Sequence, residues 1–121
     1  MSDVVHWVLE LSIKPIDLDT FRSVMTDLVS AAEQESGTVA FEWHFNDDGT
    51  ICHVYERFRD SAAAAAHLEM FGTMFAERFL AVGKPTRLCL FGDPDQGVLD
   101  ILRGFSPLVL KKVAGFSRLA A

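Results

Sequence analysis

Residues 4–13 alternate, with Trp7, Leu9, Leu11 and Ile13 on one side and His6, Val8, Glu10 and Ser12 on the other. A period of two predicts a strand with one apolar face. Pro15 ends it. Asp17 or Asp19 is placed to cap a helix in which Leu18, Phe21, Met25, Leu28 and Ala32 recur at helical spacing, and Gly37 supplies a stop. Residues 38–45 and 51–58 alternate again around "NDDG", a hairpin signal. Asp60 or Ser61 caps a second helix that runs to about residue 82, with Ala64, Leu68, Phe71, Phe75 and Phe79 as its stripe and a break expected near Gly72. Residues 86–91 make a fourth strand.

The order β-α-β-β-α-β is the split βαβ pattern, an α+β unit with a four-stranded antiparallel sheet and both helices on one face. Beyond it, "DPDQGVLDILRG" predicts a short helix and "SPLVLKKVAGFSRL" an extra strand. The chain therefore reads as one domain over residues 1–121, with a core at about 4–91 and an extension at about 92–121. An even-length hairpin turn pairs Trp43 with Cys52 and Phe41 with Val54. One face of the hairpin then carries Val39, Phe41, Trp43, Phe45, Cys52, Val54, Glu56 and Phe58, which is apolar except for Glu56 and faces the helices. The other carries Ala40, Glu42, His44, Ile51, His53, Tyr55 and Arg57. No helix is left to cover that aromatic, amphipathic face, and a second copy packing sheet against sheet is its expected cover.

Composition adds weight to that expectation. The chain has 121 residues, half of them hydrophobic and ten of them Phe, enough for one core but not two. The mean hydropathy of +0.20 is high for so small a domain and implies a buried interface or an apolar pocket. A net charge of −6 argues against nucleic acid, because phosphate binding needs a basic face. Lys111, Lys112 and Arg118 gather near the C-terminus and read as a solvated edge. The absence of a long apolar run or a leader-like N-terminus leads to the expectation of a cytoplasmic protein outside the membrane. Cys52 and Cys89 lack a paired spacing and read as small hydrophobes in a reducing compartment, not as a disulfide or zinc site.

Two residues do not fit a plain core. Glu56 lies on the helix-facing side of its strand, and His67 follows the five alanines Ala62–Ala66 on the flank of the helix's apolar stripe. A buried carboxylate is costly unless it is hydrogen-bonded, and His67 is its natural partner. Two readings stay open. In one, the pair ties a strand to a helix inside the core, so that loss of either partner destabilises the fold. Alternatively it forms the polar end of a pocket lined by Trp7, Phe41, Trp43, Phe71 and Phe75, with His67 and Glu56 as acid–base candidates and Tyr55 as a further contact. On the other face, His6, Glu10, Glu42, His44, His53 and Tyr55 cluster, with Glu42 expected opposite His53 as a cross-strand ion pair. They have no tight ligand spacing, and no metal is expected there. GxSxG, GxGxxG and P-loop patterns are absent.

The stretch "VYERFRDSAAAAAHLEMF" resembles the antibiotic biosynthesis monooxygenase family of dimeric α/β barrels, matching its pattern at Tyr55, Glu56, Asp60, Ala63 and His67. "ESGTVAFEWHF" resembles the family's segment after the first helix. The resemblance covers about residues 4–91. It implies a ferredoxin-like protomer, a homodimer joined through its sheets, and often cofactor-independent oxidation of polycyclic phenols or quinols in a dry pocket. A small aromatic or quinone-like ligand and no cofactor follow as expectations. Isomerases and non-catalytic members are the alternatives the resemblance allows. The catalytic Asn–Trp pair of the best-known oxygenases has no counterpart here, since the sole asparagine, Asn46, is in the hairpin turn. The histidine expected by the haem-degrading branch is missing from "MFAERF".

Overall fold

The computed structural model describes residues 4–118. Its elements are β1 (Val5–Ser12), α1 (Leu18–Ala32), β2 (Thr38–Phe45), β3 (Ile51–Phe58), α2 (Ser61–Met74), α3 (Ala76–Val82), β4 (Lys84–Phe91), α4 (Gln96–Leu102) and β5 (Leu108–Leu110). The sheet order is β2-β3-β1-β4-β5. The first four strands run antiparallel, and β5 adds parallel to β4. This is the expected ferredoxin-like α+β arrangement, with an extension that contributes one helix and one short strand.

Local chemistry sets the element ends. Asp60 caps α2 by accepting from the Ala63 amide at 2.8 Å, and Asp95 caps α4 by accepting from the Val98 amide at 3.0 Å. Asp17 stands at the N-cap of α1 without a side-chain bond, because a 3-10 turn at Pro15–Asp17 precedes the helix. The inward face of α1 is Phe21, Val24, Leu28 and Ala32. Val24 takes the place expected of Met25, which is half-buried. The second predicted helix breaks at Phe75 rather than Gly72. Phe75 leaves helical geometry at φ −128°, and both Phe75 and Phe79 are buried there.

The hairpin register differs from the expected one by two residues. Trp43 lies opposite Val54, Phe41 opposite Glu56 and Phe45 opposite Cys52. The cause is a longer loop. Asn46 Oδ1 accepts from the Ile51 amide at 2.9 Å, Asp48 Oδ1 accepts from the Thr50 amide at 3.0 Å, and Gly49 takes φ +77°. A slip of two residues preserves the faces, so the inward set survives. Val39 is the exception. It sits at a bulge between Thr38 and Ala40 and is 38% exposed. The slip also undoes the expected Glu42–His53 pairing. Glu42 faces Tyr55, and His53 instead bonds Glu10 of β1 at 2.9 Å.

Two apolar clusters fill the space between sheet and helices. One gathers Leu11, Ile13, Phe21, Leu28, Val54 and Phe79 under α1 and α3. The other gathers Val5, Trp7, Phe58, Ala64, Leu90 and Val98 under α2 and α4. Leu9 packs against both. The helix of the extension is thus part of the core and not an appendage.

Candidate functional site

Where the two clusters meet, a cavity of about 50 Å³ remains. Trp7, Phe41, Trp43 and Phe71 line it as the sequence predicts, and Glu56 and His67 form its polar end. Phe75 is not in this wall. It is buried beside the cavity in the first cluster, because the helix break turns it toward α1. Tyr55 is on the opposite face of the sheet, as strand alternation next to Glu56 requires. Leu102 and Phe105 of the extension complete the wall and had no signal in the sequence that tied them to the site.

His67 is the centre of the polar end. Its Nε2 lies 3.1 Å from Glu56 Oε1, and its Nδ1 lies 2.8 Å from Glu35 Oε1. The side chains of His67 and Glu56 are 3% and 8% exposed. The ring packs 5.1 Å from Phe41 and 5.0 Å from Phe58, centroid to centroid. Burial by itself disfavours a charged imidazole. The hydrogen bonds and negative charges of Glu56 and then Glu35 outweigh it, and the net effect raises the His67 pKa above its ordinary value. In the protonated form both ring nitrogens are donors, one to each carboxylate.

Glu35 is the residue that sequence reading missed. It follows α1 in the turn before β2 and accepts from the Thr38 hydroxyl at 2.9 Å as well as from His67. Its only local mark was a threonine three residues later. Gly37 makes the arrangement geometrically feasible. A Cβ at Gly37 would sit 2.5 Å from the Ala63 Cβ, so the turn and the alanine-rich start of α2 touch only because both are small. The alanines therefore bring the helix close to the sheet, and that closeness places His67 between its two carboxylates. Asp60, matched by the family pattern, serves as the cap of this same helix.

Trp43 adds an open donor. Its Nε1 is buried without a hydrogen-bond partner in a residue that lines the cavity. The polar groups at the cavity are thus the Glu56 carboxyl paired with His67, beside a lining tryptophan whose indole N–H is buried without a partner. Burial pushes the Cys52 thiol up to about 11, which keeps it a thiol and unreactive. Among the described residues, no three of His, Cys, Asp or Glu converge as metal ligands would.

A sequence model of the family described as antibiotic biosynthesis monooxygenase matches residues 4–70, more than half of the chain. Among curated proteins, no sequence matches significantly. Among solved structures, MupZ from Pseudomonas fluorescens is similar with a TM-score of 0.80 at 22% identity, covering 98% of this chain and 91% of that one. SnoaB from Streptomyces nogalater, a cofactor-independent oxygenase, is similar with a TM-score of 0.63 at 18% identity, covering 78% of this chain and 97% of that one. Rv0793 from Mycobacterium tuberculosis gives 0.60 at 16% identity, with 77% and 97% covered. At these identities the likeness is one of fold. The MupZ match extends over the C-terminal extension, whereas the other two span little more than the core.

Proposed function

The chain belongs to the antibiotic biosynthesis monooxygenase family, and from that premise we propose a cofactor-independent oxygenase that acts on a hydroxylated aromatic or quinol in the cavity between sheet and helices. One observation carries this reading: Glu56 borders an apolar cavity and is held by a histidine that bonds Glu35 on its other nitrogen and whose protonated form the two carboxylates favour. The description of SnoaB as a cofactor-independent oxygenase supports it at the level of the fold.

The chemistry asks little of the protein beyond proton handling and dryness. Glu56 takes the phenolic proton, and the Trp43 N–H donates to the resulting oxyanion. The anion gives its electrons to dioxygen, and a C–O bond forms at the ring carbon opposite the hydroxyl. Glu56 returns its proton to the peroxide. The O–O bond then breaks with loss of water, the second hydrogen coming from that ring carbon. The sum is substrate plus O2 giving quinone plus water, with two atoms of oxygen accounted for and no outside reductant. His67 acts as a positioning residue that offsets the charge of Glu56 between proton transfers.

A second reading is favoured by a specific observation. Both nitrogens of His67 are already engaged, and a cavity of about 50 Å³ has room for a few waters, whereas small-molecule sites span roughly 300–1,000 Å³. A non-catalytic binding protein, or an isomerase that uses Glu56 alone to move a proton, fits a histidine held on both nitrogens, and either needs the cavity to widen as the oxygenase does. Oxygen uptake with a panel of naphthols and hydroxyanthrones separates them. Substrate-dependent uptake with release of a quinone is the expected result. Thermal stabilisation without uptake would leave a binder, and a product of unchanged mass would identify an isomerase.

The proposal includes a homodimer. Among the described residues, no helix packs on the face that carries His44, His53 and Tyr55, and Leu108, Val109 and Leu110 at the sheet's edge are 47%, 40% and 42% exposed. Sedimentation at micromolar concentration should give twice the chain mass, and a stable monomer would reject this part.

A further inference from the structure

Arg57 is a buried cation that the cavity between sheet and helices does not use. It is 8% exposed on the second face of the sheet. Its Nη1 donates to the Tyr55 hydroxyl at 3.4 Å, and its Nε is buried with no partner. Among the described residues, no carboxylate forms a salt bridge with it. A guanidinium cannot escape by losing its proton, so burial without an anion is costly. Opposite it in the register stands His6, whose Nδ1 is also buried and unpartnered and whose ring stacks on Phe91 at 5.2 Å. Burial, Arg57 and Lys112 together hold the His6 pKa below its ordinary value, which leaves the ring neutral beside the guanidinium.

These groups share a cavity of about 830 Å³ between this end of the sheet and the arm that follows β5. The arm contributes Leu110, Lys111, Lys112 and Phe116. Its size is that of an ordinary small-molecule site. We propose that it is a second ligand site, which takes an organic monocarboxylate with an apolar body. The free Nε and the adjacent Nη2 form the edge of Arg57 that grips a carboxylate in two parallel hydrogen bonds. Phe91 and Phe116 receive the apolar body, and Lys111 and Lys112 add attraction at the mouth. Asp93 also borders the cavity, and its negative charge selects a singly charged group over a polyanion. The arm of the same chain borders this end of the sheet together with Arg57.

Calorimetric titration of the full chain with 2-naphthoate tests the site, with 2-naphthol as the neutral counterpart and inorganic phosphate as the bare anion. The expected result is naphthoate binding that Arg57→Gln weakens at least tenfold and Lys112→Gln weakens severalfold. Naphthol and phosphate should not compete for it, and added salt should weaken it. Lys112 lies on the exposed arm, so its variant reads the site even where Arg57→Gln fails to fold. Failure of naphthoate to bind, equal affinity in both variants and wild type, or displacement by phosphate would each overturn the proposal. So would a dimer that Arg57→Gln splits while naphthoate has no effect, since Arg57 would then be answering a carboxylate of the second copy.

Discussion

His67 shows how far a residue's chemistry depends on what the chain brings back to it. With its pKa raised by Glu56 and Glu35 against the opposing pull of burial, its proton stabilises the folded state. The stabilisation is complete below the unfolded value of about 6.5 and is lost as pH rises through the higher folded value. The melting temperature of the wild type should therefore fall above neutrality more steeply than that of His67→Gln, and parallel curves would mean that the pair holds no such proton. His67→Ala leaves a carboxylate with an 8% exposed side chain uncompensated and should cost about 3–5 kcal/mol, read by chemical denaturation. Glu56 and His67 were legible in the sequence because each is polar at an apolar position. Glu35 was not, since a glutamate in the polar turn after a helix looks like any other until the fold carries it to Nδ1. The open question of the sequence, core tie or pocket end, has a physical answer in part: the pair ties β3, α2 and the turn before β2 together, and it also borders a cavity.

At the scale of elements, patterning showed where strands and helices lie, because each inward residue obeys a period. The bounds of β2 and β3 match those read from alternation. Register was beyond that reach. Alternation is indifferent to a slip of two, and only the side-chain bonds of Asn46 and Asp48 decide the loop length. The contact between the turn at Gly37 and α2 is similarly a matter of ångströms. Gly37→Ala should push the turn from Ala63, cost about 1–3 kcal/mol by overpacking, and lengthen the Glu35–His67 bond. Two measurements check it together: the unfolding free energy, and the titration of His67 by NMR, whose pKa should drop toward its ordinary value. A lower stability with an unchanged titration would place the strain elsewhere than at the histidine.

For the whole molecule, the extension decides what the cavity can hold. The core pattern over residues 4–91 explained four strands and the two helical segments over them, but nothing in a run such as "QGVLDILRGF" says that it will lie over a cavity built by other elements. In the structure Val98 and Leu102 are buried with Trp7 and Leu90, and Leu102 and Phe105 form part of the cavity wall. A polycyclic ligand cannot enter a space of about 50 Å³ unless one wall yields. Phe105 is the candidate. It is only half-buried, it lies in a single 3-10 turn, and the Ser106 that follows has a left-handed backbone at φ 51°. Phe105→Ala should enlarge the cavity and admit larger aromatics, for less than the roughly 3–5 kcal/mol of a fully buried Phe→Ala change. Binding of one-, two- and three-ring phenols to wild type and variant, followed by fluorescence, makes the comparison. The variant should gain most for the three-ring ligand and little for the one-ring ligand. An equal gain for all three, or a loss that grows with size, would mean that Phe105 grips the ligand rather than closing the cavity.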